Sequence, residues 1–157
     1  MDRTDFDILE ELQKNARLSN KELASRVHLA PSSCMERVRK LQQQGALSGY
    51  HARVDPQILG IGMQAMIQVR LSRHSRDGVQ ALRQHLLDQP ETVGCFHLTG
   101  EFDFLVHVAV RDADHLRDLA LDAFTTREEV AQIQTALLYD VAQKAVWPNL
   151  CASEEEA

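Results

Sequence analysis

The sequence predicts an α+β protein in two parts, and three observations predict it. Over residues 1–54, apolar positions recur at helical spacing in three short runs, each opened by a capping residue or a proline. Beyond residue 62, four stretches read as strands, three of them with apolar residues at every second position. Two helical stretches fall between those strands. The 157 residues are 44% hydrophobic and 25% charged, which suits one ordinary domain or two small ones and excludes a collagen-like or disordered chain.

In the first part, Thr4-Asp5-Phe6-Asp7 reads as a helix start, the Thr4 hydroxyl its cap with an acid three residues on, and Phe6, Ile8, Leu9 and Leu12 form its apolar side. Asn15 to Leu18 breaks the pattern. Ser19-Asn20-Lys21-Glu22 is a capping box, and Leu23, Ala24 and Val27 are the buried side of a second, short helix. His28-Leu29-Ala30 makes a tight connection, and Pro31 suits the first turn of a third helix. There Cys34, Val38 and Leu41 recur at i, i+4 and i+7 and should face the core. Ser32, Ser33, Glu36, Arg37, Arg39, Lys40 and Gln43 are left outward or flanking, and Gly45 ends the helix. Tyr50, Ala52 and Val54 then alternate with His51, Arg53 and Asp55, a short strand or wing with a basic outer edge.

A short helix, a tight turn and a longer helix with a polar, basic face is the helix-turn-helix layout. Hydroxyls and N–H groups at a helix start bond phosphates, Arg and Lys neutralise them, and Arg and Glu read base edges in the major groove. Net charge is −6, which by itself argues against a nucleic-acid partner, but the charge is unevenly placed. Residues 1–55 carry nine Lys/Arg against eight Asp/Glu; the remainder carries eight against fifteen, with Glu154, Glu155 and Glu156 in the tail. A plain three-helix bundle with a solvated basic face would show the same spacing.

In the second part, Pro56, Gly60 and Gly62 mark a linker. Met63, Ala65, Ile67, Val69 and Leu71 form one side of a strand; Val79, Leu82 and Leu86 mark a helix ending near Gln89-Pro90. Thr92 to Gly100 is a second strand, and Phe102, Phe104, Val106, Val108 and Val110 alternate through a third. Leu116, Leu119, Ala120, Ala123 and Phe124 form a helix begun by Asp112 or Asp114, and Ile133, Thr135, Leu137, Tyr139 and Val141 a fourth strand. The order βαββαβ predicts a ferredoxin-like domain, helices on one face of an antiparallel sheet. The other face, with Met66, Leu105, Ala109, Ala136, Leu138 and Ala142, is too apolar for water and predicts a homodimer at least.

The run from Asp2 to Pro56 resembles the DNA-binding half of the Lrp/AsnC family of bacterial and archaeal transcriptional regulators. Asp5-x-x-Ile8-Leu9, Asn20-x-Glu22-Leu23-Ala24, the Pro31-to-Gly45 run and Gly49-Tyr50 all sit at the family's spacing. The remainder is similar to the family's carboxy-terminal regulatory domain, so the resemblance covers all but the acidic tail. It implies a winged helix-turn-helix over 1–54, a linker over 55–62, an effector-binding and oligomerisation domain over 63–147, and a tail over 148–157. One departure is Ala30, where many members have a capping serine; Ser32 or Ser33 would then take part of that role.

As partners, the resemblance implies double-stranded DNA, an amino-acid effector, and a homodimer assembling to an octamer. Arg37 and Arg39 become the leading base or phosphate contacts, with Ser32, Ser33, Glu36 and Lys40 assisting and His51 and Arg53 on the flanking backbone. Leu98 to Val110 is similar to the family's glycine-x-aromatic-aspartate hairpin, with Gly100, Phe102 and Asp103 matching. In relatives an amino acid binds near this turn, between dimers. Backbone N–H groups around Gly100 would take its carboxylate and Asp103 its ammonium, while Asp112 and Leu137 sit where response is also influenced. The plainer alternative is that Gly100 makes a tight turn and Asp103 caps it.

Other classes fare worse. Cys34, Cys95 and Cys151 form neither a C-x-x-C pair nor an even set, which argues against disulfides and zinc knuckles; the spacing of Cys34 makes it core. His97 and His107 fall on adjacent expected strands without a third ligand at a recognisable spacing, so no metal or other cofactor is expected. No nucleophile elbow, phosphate-cradling loop or paired carboxylates suggest an enzyme. The siroheme decarboxylases, which resemble this architecture, are the alternative, and a basic helix face is something they would not need. A regulatory subunit that has lost DNA binding is a third reading, against which Arg37, Arg39 and Lys40 argue. No apolar run reaches a membrane span's length, and Asp2, Arg3 and Asp5 at the start leave no signal-peptide core, so a cytoplasmic protein is expected.

Overall fold

The computed structural model describes residues 1–151, and the chain divides into two compact units. One is Met1–Arg53 with residues 142–151; the other is Val54–Val141. The sequence expectation ran the second domain to residue 147, whereas the segment after Val141 groups with the helices. Within that unit the Trp147 N–H donates to Gln13 Oε1 at 2.8 Å. Glu154 to Glu156, in the expected acidic tail, lie outside the described residues.

The first unit holds α1 (Arg3–Lys14), α2 (Asn20–Arg26) and α3 (Pro31–Gln43) around Ile8, Leu12, Leu23, Ala24, Val27, Cys34 and Leu41, all buried. Asp2, not Thr4, caps α1. Its Oδ1 accepts the Asp5 N–H while Asp5 Oδ2 accepts the Asp2 N–H, each at 3.0 Å, a carboxylate version of the capping box. The Ser19–Glu22 box opens α2 as the spacing predicts. His28, at φ +55°, makes the turn to α3 in the left-handed region, and the Leu29 N–H closes it on Ala24 O at 2.9 Å. Gly45, at φ +75°, ends α3.

The wing expected from Tyr50 to Val54 is not a hydrogen-bonded strand. Residues 47–55 run without pairing, and Tyr50 and Val54 are exposed. Alternation alone makes no strand, because the ladder needs a second segment to accept its N–H groups.

The second unit begins with a single 3₁₀ turn, Pro56–Leu59, capped by the Asp55 side chain and ended by Gly60 at φ +78°. Then follow β1 (Met63–Leu71), α4 (Arg76–Leu87), β2 (Thr92–His97), β3 (Phe104–Val110), α5 (Ala113–Leu119) and β4 (Val130–Leu137). A π-helical turn, Ala120–Thr125, extends α5. The sheet order is β2-β3-β1-β4 and every neighbouring pair is antiparallel, the ferredoxin-like arrangement. One face carries the core: Ala65, Ile67, Val69 and Leu71 of β1, and Phe104, Val106, Val108 and Val110 of β3, against Leu82 and Leu86 of α4, Leu116 and Leu119 of α5, and Phe124.

Three strands are shorter than expected: β2 ends at His97 rather than at Gly100, where the chain turns toward β3. Phe102 precedes β3, and β4 ends at Leu137, so Tyr139 and Val141 lie beyond the ladder and Tyr139 is fully exposed. The last bond on that side runs from the Leu138 N–H to Gln64 O, because β1 begins at Met63 and offers nothing further to pair with.

The open sheet face holds Met66 between His107 and Ala136, and Gln68 between Leu105 and Gln134, with Phe96 beyond Leu105. It is richer in amides than the expected apolar set, and Ala142 is not on it.

Candidate nucleic-acid interface

The α3 spacing sorts its polar residues by direction. Ser32, Glu36, Arg39 and Gln43, at i, i+4, i+7 and i+11, form one exposed stripe opposite Cys34 and Leu41, with Ser33 and Lys40 beside it. Glu36 and Lys40 pair at 3.2 Å, both well exposed. Arg39 has no ion-pair or hydrogen-bond partner among the described residues, so its charge is available to a phosphate or a base edge. His51 and Arg53 are likewise exposed and unpartnered there.

The helix start is bare. Ala30 provides no side-chain cap, and neither Ser32 nor Ser33 takes its place, since their hydroxyls make no hydrogen bond among the described residues. Pro31 brings no N–H, so the first-turn donors are the exposed backbone of Ser32 and Ser33. A bare positive helix end with two hydroxyls beside it is suited to an anion. Asn20, from α2, fixes this end by donating its side-chain amide to Pro31 O at 2.7 Å.

Arg37 is placed differently. Its Nη1 meets Asp5 Oδ1 at 2.7 Å and Asp2 Oδ2 at 2.8 Å, and the side chain is about two-thirds covered. The two carboxylates, Asp5 before Asp2, raise the guanidinium's affinity for its proton. The Asp2 carboxyl is held below its ordinary value by the Asp5 N–H first and Arg37 second. Cys34, in the same helix, is fully buried, and burial pushes its thiol up and away from reactivity.

In the second unit, the five residues singled out for an effector do not converge. Gly100 turns the β2–β3 hairpin at φ +120°, with open space where a Cβ would sit. The Leu98 N–H closes this turn on Asp103 O at 2.8 Å, and Phe102 is half-buried beside it. Asp103 caps nothing in its own turn. Its Oδ2 accepts the Leu71 N–H at 2.7 Å, and Oδ1 meets His74 Nε2 at 2.6 Å.

Asp112 and Leu137 lie at the opposite end of the sheet. Asp112 follows β3 and caps α5 through the His115 N–H at 2.8 Å; Leu137 pairs with Ala65 near the start of β1. The length of β3, about 20 Å at ~3.3 Å per residue, separates the two groups. A cleft of about 670 Å³ beside Ser72 and Arg127 includes none of the five.

The histidines do not meet either. His107 pairs across the open face with Met66, is nearly buried, and bonds Gln64 Oε1 through Nε2 at 2.9 Å. His97 pairs with Phe104, whose side chain faces the core, and stacks on its ring at 4.9 Å. Among the described residues no group of three or more His, Cys, Asp or Glu side chains is placed to hold a metal ion.

Comparison with known proteins follows these two units. Residues 1–47 match the winged helix-turn-helix DNA-binding family, and residues 64–145 match the Lrp/AsnC ligand binding domain. The chain is 36% identical over 140 residues to the HTH-type transcriptional regulator AldR of Mycolicibacterium smegmatis, covering 89% of this chain and 82% of that protein. It is 37% identical over 119 residues to the leucine-responsive regulatory protein of Escherichia coli, covering 76% and 73%. Among solved structures, a transcriptional regulator of Neisseria meningitidis in complex with L-Met superposes with a TM-score of 0.84 at 33% identity, covering 92% of this chain and 93% of that one.

Proposed function

The chain belongs to the Lrp/AsnC family of DNA-binding transcriptional regulators, and from that premise we propose that it grips double-stranded DNA with the exposed stripe of α3 while an amino acid bound between copies modulates the grip. The observation that carries the reading is the bare start of α3 followed by the unpartnered Arg39 on one face. Ser32 and Ser33 seat a phosphate at the helix end; Arg39 enters the major groove with Glu36 and Lys40 beside it. Arg53 and His51 follow the flanking backbone.

The amino acid comes to this chain from its relatives, one of them solved with L-Met. Gly100, Phe102 and Asp103 stand about a strand's length from Asp112 and Leu137, so a ligand touching both groups must bridge two copies. The Asp103 carboxylate already holds the Leu71 N–H and His74, so an effector ammonium would have to share it. Support for self-association is the open sheet face, where Met66 and Leu105 are half-covered and Phe96 is half-exposed. Dimers closed through that face and assembled to an octamer, in the cytoplasm, complete the reading.

The relatives found are regulators and not enzymes, and nothing favours the tetrapyrrole alternative. Fluorescence anisotropy on the DNA upstream of the protein's own gene tests the function, over a salt series and with each common amino acid. Sequence-dependent binding with a steep negative salt slope, shifted by one amino acid, is the expected result. Weak binding indifferent to sequence and to every amino acid would sink it.

A further inference from the structure

Two arginines two residues apart on α3 point to nearly opposite sides of the helix, since about 100° per residue puts roughly 200° between them. Arg39 lies on the exposed stripe. Arg37 turns back to α1, where one Nη1 meets both Asp2 and Asp5. There the guanidinium is already engaged by two carboxylates, so its charge is compensated before any phosphate approaches. The same two carboxylates close the α1 capping box with their other oxygens, so each is shared between its own helix end and α3. Meanwhile α3 lies on a narrow apolar stripe of Cys34, Val38 and Leu41 and has no side-chain cap. Such a seat fixes the depth of a helix better than its rotation.

We propose that Arg37 is a positioning residue rather than a DNA contact: clamped by Asp2 and Asp5, it sets the rotation of α3 that turns Arg39 and Ser32 toward the groove. The inference rests on the DNA-reading face described above and specifies how that face is held. A base is read only when a side chain arrives in register, so a small roll of α3 costs discrimination between sequences. The phosphate attraction that drives non-specific binding tolerates the roll.

The test compares wild type with Asp5→Asn, Arg37→Gln and Arg37→Lys in the full-length protein. The probes are the duplex upstream of its own gene and an unrelated duplex, titrated by anisotropy over a salt series, with thermal unfolding to confirm folded protein. The clamp predicts that Asp5→Asn and Arg37→Gln each weaken binding to the first duplex roughly three- to thirtyfold, as for residues acting on a ligand through a packed element. Binding to the unrelated duplex should not fall, and the salt slope should stay that of wild type. Arg37→Lys, which keeps the charge and one arm of the clamp, should lie between wild type and Arg37→Gln.

Direct contact predicts the opposite sign for Asp5→Asn, because removing an acid and loosening the guanidinium would tighten binding. It also predicts that Arg37→Gln lowers the salt slope by about one. Either result overturns the clamp, and so does equal weakening on both duplexes, which marks a merely structural role. Wild type that fails to distinguish the duplexes overturns the interface reading instead, a result visible before any substitution is made.

Discussion

Asp103 and Leu71 are 32 positions apart, yet the Asp103 carboxylate accepts the Leu71 backbone N–H at 2.7 Å and so ties the β2–β3 hairpin to the end of β1. The Asp103 N–H completes the tie by donating to Val69 O at 2.9 Å. An effector drawn to this turn would meet a carboxylate that is already structural.

Asp103→Ala should therefore destabilise the protein by about 1–3 kcal/mol, the range for leaving a covered N–H without its partner. Urea unfolding checks it. A midpoint equal to wild type would mean that water replaces the carboxylate without cost.

Partial burial pushes the Asp103 carboxyl up, but the Leu71 N–H and the His74 ring pull it down further, so it lies below its ordinary value. The folded state therefore binds that proton less readily than the unfolded chain. The stabilisation is fully present above the unfolded carboxyl value of ~3.9 and is lost as pH falls below it. Thermal midpoints measured downward from pH ~5 should fall less steeply in Asp103→Asn than in wild type. Parallel curves would remove Asp103 from the acid response.

His107 gives the opposite group type with the same direction in pH. Burial holds its imidazole below the ordinary value of ~6.5, so the unfolded chain takes the proton first as pH falls. Stability is then greatest above ~6.5 and declines below it until the folded form also protonates. His107→Gln should flatten this part of the curve. An unchanged decline would place its source elsewhere.

Gly62 has a tighter constraint than any turn glycine here. A Cβ on it would stand 2.4 Å from Arg111 O, a backbone atom, while the Gly62 N–H donates to Val110 O at 3.1 Å. Gly62→Ala must push apart the start of β1 and the end of β3 and should cost about 1–3 kcal/mol. Thermal unfolding at neutral pH reads the shift, and a wild-type midpoint would show that this edge gives way freely.

If the amino acid bridges two copies, its affinity depends on protein concentration. Calorimetric titration with L-methionine and the other common amino acids should give apparent affinities that weaken when the protein is diluted below its association midpoint, set by sedimentation. An affinity independent of dilution would place the site within one copy and separate Gly100 from Leu137 functionally.

Much of the fold was legible because its signals are local. The Ser19–Glu22 box, Pro31, Gly45 and the alternation through Ala65, Ile67 and Val69 each require only neighbouring residues to be read. The start of α1 was misplaced by two residues because Thr4 and Asp2 both suit a cap, and the choice falls to Asp2, whose carboxylate also meets Arg37. The strand expected from Tyr50 to Val54 does not form, because alternation reports a face, not a partner strand.

The sequence by itself determined the element types and their order, hence the α+β class, the helix-turn-helix and the βαββαβ topology, since periodicity and caps act over a few residues. The two-residue spacing of Arg37 and Arg39 also carries their opposed directions, but the sequence reading places both among the contacts. Only the tertiary structure decided what Arg37 meets, where Asp103 spends its oxygens, and that Asp112 and Leu137 lie a strand's length from Gly100. Those facts depend on which distant segments pack together, and a side chain's free charge is what remains after that packing has chosen its partners.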